Sequence, residues 1–172
     1  MKHIGNLTIT SANAGDYAGL TEVTGYLSIR ADASLPVLTT VGGYLDIQSE
    51  ASLPVLTTVG GYLDIQAEAA LPALTTVGDP LTIRAEASFP ALTTAHGVPG
   101  NLIAVSDYGL WAGSNGLYYA GCRKGFTREQ ALRHWDREDD RACLYTLAIG
   151  ATSLHSCAHS GRMIESAYGV PE

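Results

Sequence analysis

A motif of 18 residues recurs almost without gaps through the first part of the chain, and it constrains the fold more than any other feature. Gly25-Tyr26-Leu27-Ser28-Ile29-Arg30 opens one unit, Gly43-Tyr44-Leu45-Asp46-Ile47-Gln48 the next, and Gly61-Tyr62-Leu63-Asp64-Ile65-Gln66 a third. Asp79-Pro80-Leu81-Thr82-Ile83-Arg84 opens a fourth, altered at its first two positions. The Tyr-Leu-x-Ile segment alternates apolar and polar residues, as a half-buried strand does. Proline at Pro36, Pro54, Pro72 and Pro90 forbids a helix interior or a central ladder position in the other half of each unit. Each unit therefore holds one strand and a return path, which makes it a coil, and successive coils stack by parallel pairing. The expected fold is mainly β: a parallel β-solenoid of about six 18-residue coils over residues 1–106, with a small α/β cap over 107–172. Leu7 and Ile9 mark the first coil, Leu102 and Ala104 the last. Leu27/Ile29, Leu45/Ile47, Leu63/Ile65 and Leu81/Ile83 should form inward columns, because a single coil cannot bury its apolar face alone.

The repeated Leu-Pro-x-Leu-Thr-Thr-Val-Gly-Gly-Tyr-Leu-x-Ile resembles the short leucine-rich repeats of receptor-L-domain-like proteins, and repeat proteins encoded by bacteriophages and prophages. The resemblance covers residues 4 to about 105. The period is shorter than the ~20–29 residues of leucine-rich repeats, and their consensus asparagine is absent. Turns or a second short strand are therefore expected on the return side in place of a helix.

The cap begins where the repeat stops. Leu110-Trp111-Ala112 and Leu117-Tyr118-Tyr119-Ala120, joined through Asn115-Gly116, read as a hairpin. Thr127-Arg128-Glu129-Gln130 fits a capping box, with Ala131, Leu132 and Trp135 as the apolar face of the helix it starts. A second helix is expected from about Glu138 to Ile149. The run Ala120–Trp135 is similar to a segment of bacteriophage and prophage proteins, which implies a phage origin and a role in host manipulation or virion assembly.

Charge and composition narrow the partners. The chain of 172 residues carries a net charge of −7, which disfavours direct nucleic-acid binding. No apolar run approaches the ~20 residues of a membrane span, and Met1–Thr10 holds no signal-peptide core. Three cysteines, an odd number without an export signal, fit a reducing cytosol, so a cytoplasmic location is expected.

Two columns face outward as candidate binding surfaces. Asp32, Glu50, Glu68 and Glu86 recur one per coil, with Asp46 and Asp64 on the strands beside them. They read either as a solvated edge or as a stripe for a basic partner. Tyr26, Tyr44 and Tyr62 form the second column, read as a stabilising ladder or as binding anchors. The threonine doublets, such as Thr57-Thr58, suggest a corner with hydroxyls bonded to backbone. Trp111, Arg123 and Trp135 are candidate contact residues of the cap, whose alternative expected role is to form a homodimer.

Catalytic signatures are weak. Cys122 and His134 form a candidate nucleophile and base, with no third group to orient them. His155, Cys157 and His159 alternate as metal ligands would on one strand face, with Cys143 as a fourth, but the spacing is not that of zinc sites. No cofactor or metal is expected. The leading expectation is a non-enzymatic, phage-encoded inhibitor that acts by stoichiometric binding of a host defence protein, itself basic or nucleic-acid-binding. The alternatives are a phage structural or adhesion component using the solenoid as spacer or receptor-binding surface, and a small enzyme using Cys122 and His134.

Overall fold

A computed structural model describes residues 1–85, 87–106, 108–121, 123–135, 145, 148–149 and 162–163, with backbone alone at 106, 123, 124, 162 and 163. The chain divides into two compact units, Met1–Gly97 and Val98–Glu172.

The first unit is a parallel β-solenoid of about five turns, and three ladders run along it. The longest is built from Leu7–Ile9, Leu27–Ile29, Leu45–Ile47, Leu63–Ile65 and Leu81–Ile83. Neighbours pair in parallel with an offset of 18 residues from the second rung on, as in Leu45↔Leu63 and Ile47↔Ile65. The return path supplies two ladders of two-residue strands. One joins Ala33–Ser34, Ala51–Ser52, Ala69–Ala70 and Ala87–Ser88. The other runs from Lys2–His3 and Glu22–Val23 through Thr40–Val41, Thr58–Val59 and Thr76–Val77 to Thr94–Ala95. Among the described residues no α-helix forms on the return side: the first turn carries only the short 3-10 helix Ala14–Tyr17, and in the later turns proline at the Leu-Pro corner and the shortness of the path leave room only for turns and strands.

The core is a set of columns along the axis. Leu27, Ile29, Leu45, Ile47, Leu63, Ile65 and Leu81 are buried, as are Leu35, Leu53 and Leu71, Leu38, Leu56 and Leu74, and Val23, Val41, Val59 and Val77. Burying each such side chain contributes about 1.5–3 kcal/mol. The threonine corner closes each turn. Thr39, Thr57 and Thr75 donate their Oγ1 to the carbonyl oxygen one coil back, at 3.0, 3.1 and 3.0 Å. After it comes the tightest approach between coils. A Cβ on Gly60 would lie 3.0 Å from the Gly42 carbonyl carbon and closer still to its oxygen, and Gly42 and Gly78 stand in the same register.

The second unit begins with Val98–Ser106, which contains Leu102 and Ala104, the residues expected to form a sixth coil. That strand runs antiparallel to Tyr108–Gly113. Tyr108–Gly113 in turn forms the expected hairpin with Tyr118–Ala120, and Gly116 takes the left-handed turn position at φ 77°. Arg123–Phe126 adds a fourth antiparallel strand. The capping box is formed: Gln130 N–H donates to Thr127 Oγ1 at 3.2 Å, and Thr127 N–H donates to Gln130 Oε1 at 2.9 Å. The helix it starts spans Arg128–Trp135. Ala131, Trp135, Tyr145 and Ile149 share a core with Ala104, Leu110 and Ala120. The expected second helix lies largely outside the described residues, although Tyr145 and Ala148 are helical.

Candidate functional site

The outer surface of the solenoid carries three kinds of polar order, each set by the repeat. At the corner after the long ladder, Asp32, Glu50 and Glu68 stand exposed, one per coil. Beside them the alanine-serine ladder presents only small side chains outward. The result is an open groove of about 460 Å³ lined by Asp32, Ala33, Ser34, Glu50, Ala51, Ser52, Glu68 and Ala70. Among the described residues no ion pair involves Asp32, Glu50 or Glu68; Lys2 pairs with Glu22 at 2.8 Å, and Arg133 with Glu129 at 3.6 Å. Glu86, the expected fourth member of the column, lies outside the described residues. Residues 1–97 hold nine carboxylates against three lysines and arginines, a net −6 of the chain's −7.

The tyrosine column is a true stack. Tyr26 and Tyr44 rings lie 4.6 Å apart at 8°, and Tyr44 and Tyr62 lie 4.7 Å apart at 6°. These spacings match the distance between rungs, so pairing of the strands places the rings in register. Their faces cover one another, and the column presents its edges. Tyr62 is the most exposed of the three, at 42%. Burial pushes its hydroxyl pKa up, and Tyr44, Asp46 and Asp64 push it further.

Between the tyrosines and the groove, Asp46 and Asp64 sit opposite each other on adjacent strands. Amides and a hydroxyl hold them. Ser28 Oγ donates to Asp46 Oδ2 at 3.2 Å and Gln48 Nε2 donates to the same oxygen at 2.6 Å. Gln66 Nε2 reaches Asp46 Oδ1 and Asp64 Oδ2, each at 3.3 Å. Asp64 Oδ1 is buried with no hydrogen-bond partner among the described residues. Burial raises the Asp64 pKa; Arg84 lowers it, Asp46 raises it again, and the Gln66 hydrogen bond lowers it. Arg30, at the other end, directs Nε to Ser28 Oγ at 3.3 Å.

The residues expected to make contacts from the second unit separate into two groups. Trp111 and Trp135 are buried, which corrects their assignment to a contact surface. Trp111 Nε1 donates to the Val98 carbonyl at 3.1 Å, and the Trp135 ring meets Tyr145 edge-on at 5.2 Å. Trp135 belongs to the core it shares with Ala131, Tyr145 and Ile149. Arg123 belongs to a strand, and its side chain lies outside the described residues. His134 lies against Phe126 at 5.0 Å. Its proposed partner Cys122, and the ligand candidates Cys143, His155, Cys157 and His159, lie outside the described residues. Among the described residues no three His, Cys, Asp or Glu side chains converge as a metal site. No helix of the described residues is long and apolar enough to cross a membrane.

The groove floor was missed at the sequence level. Its signal is the small pair that follows each acid: Ala33-Ser34, Ala51-Ser52, Ala69-Ala70. Comparison with family models, with curated proteins and with solved structures finds no match for the chain.

Proposed function

We propose that the first unit is a non-enzymatic binding scaffold whose acidic groove receives a basic surface of a partner protein. One observation carries the reading: Asp32, Glu50 and Glu68 line a single groove with no cation of the chain paired to them among the described residues. Carboxylates carried on rungs about 4.8 Å apart repel one another, and an external cation relieves that repulsion. The solenoid supports the reading by stiffness, because a preorganised surface loses little entropy on binding. Exposed ion pairs contribute only about 0–1 kcal/mol each, so the charges select the partner and speed its approach, while contact area supplies the affinity. The finer proposal is a phage-encoded inhibitor of a host defence protein in the host cytosol, and it draws on the sequence resemblance.

Affinity capture from a host lysate, and titration with a lysine-rich peptide at low and at physiological salt, test this. Wild type should retain a basic protein and bind the peptide more weakly as salt rises. The double variant Glu50→Lys, Glu68→Lys should lose both. Undiminished binding by a folded double variant would refute the groove as the contact surface.

A further inference from the structure

We propose that Asn13 is an edge cap, whose carboxamide takes the place of a preceding rung on the outer edge of Leu7–Ile9 and holds that edge shut against a second copy of the chain. In the long ladder, each rung offers the next one a donor and an acceptor from a single residue. Ile9 does this for the second rung: it is paired in parallel register with Ile29, and its carbonyl accepts from Arg30 N–H at 2.9 Å. Leu7 and Ile9 face the second rung, so Thr8 and Thr10 turn their N–H and C=O groups the other way, onto the outer edge.

Asn13 meets that edge with one planar group. Its Nδ2 donates to the Thr8 carbonyl at 3.1 Å, and its Oδ1 accepts from Thr10 N–H at 2.7 Å. Thr8 and Thr10 occupy, in the first rung, the places of Ser28 and Arg30 in the second. The side chain thus supplies to Thr8 and Thr10 what the Ile9 backbone supplies to the rung above. The orientation of the amide is fixed by its partners, one a pure acceptor and the other a pure donor. The backbone completes the closure, since Asn13 N–H and Ala14 N–H donate to the Thr10 carbonyl at 3.1 and 2.9 Å. Only Thr8 N–H has no partner among the described residues.

An end rung with open backbone groups is a template for another strand. Here the risk is acute, because the rungs are near copies of one another. Exposed apolar side chains also belong to this end, Ile4 at 74% and Met1 at 57%. With the carboxamide gone, the Thr8 carbonyl and Thr10 N–H are open, and two copies can pair edge to edge about a twofold axis. Aspartate would keep the acceptor for Thr10 N–H, lose the donor to Thr8, and leave a charge that opposes strand addition.

Sedimentation equilibrium of the full chain over a concentration series, for wild type, Asn13→Ala and Asn13→Asp, tests the proposal. The alanine variant should associate one step beyond wild type as concentration rises, and the aspartate variant should match wild type. The proposal is overturned if the folded alanine variant sediments as wild type at every concentration, or if the aspartate variant associates as readily as the alanine one. Amide exchange on wild type keeps the idea testable even if Asn13→Ala does not fold. Thr10 N–H should exchange on the order of tenfold more slowly than Thr8 N–H; equally fast exchange at both overturns the cap.

Discussion

Gly60→Ala probes the stacking of the coils at one of its close backbone approaches. The new Cβ would stand 3.0 Å from the Gly42 carbonyl carbon and nearer to its oxygen. The obstacle is backbone, fixed on both sides: Gly60 N–H donates to Val41 O, and Gly42 N–H to Val23 O, both at 2.8 Å. No side chain can swing away, so the coils must separate locally. Overpacking of this kind costs about 1–3 kcal/mol, and the upper end applies because relief strains ladder bonds worth about 1 kcal/mol each. The methyl also restricts the unfolded chain, which returns about 0.4–1 kcal/mol. The net loss is about 2 kcal/mol. For a unit the size of Met1–Gly97 that lowers the melting temperature by about 8–16 °C. Thermal melts followed by far-UV circular dichroism measure it. Gly19→Ala is the control, since nothing lies within 4 Å of a Cβ there, and its melt should be unchanged or slightly higher. The reasoning fails if Gly60→Ala melts within about 2 °C of wild type, or if the Gly19 control falls by the same amount.

Two further predictions concern charge and capping. Asp64 has a folded pKa raised above its ordinary 3.8, so the folded state binds its proton more readily than the unfolded state. Its contribution to stability therefore falls as pH rises from 3.8 through the higher folded value, and is regained on acidification through the same window. Asp64→Asn should be at least as stable as wild type at neutral pH, with the advantage shrinking as pH drops; melts across that range check it, and an advantage that grows on acidification contradicts it. Thr127→Ala removes the Oγ1 acceptor of Gln130 N–H and should cost about 1 kcal/mol. Urea unfolding of the second unit should show an earlier midpoint at unchanged slope, and an unmoved midpoint would leave the box without energetic weight.

The repeat made the solenoid legible because a coil is local: 18 residues contain the strand, the corner and the inward columns, and identical units stack in register. The tyrosine stack followed from the same logic, since residues one period apart must lie one rung apart. The hairpin and the capping box were legible because each signal spans a few neighbouring residues, Asn115-Gly116 and Thr127-Gln130. The fate of Trp111 and Trp135 was not, because burial depends on which elements close over a side chain rather than on its own type.

What the sequence by itself determined is the period, the inward columns and the order of the faces around a coil. Only tertiary structure decided that Ala33–Ser34 and its copies pair into a ladder and floor a groove beside Asp32, Glu50 and Glu68. It alone decided that Asn13 bonds Thr8 and Thr10, and that Gly60 meets Gly42. The physical reason is the same in each case. Periodicity says which side chains share a column, but distances between columns, and between a side chain and another coil's backbone, depend on how sharply the chain turns at each corner.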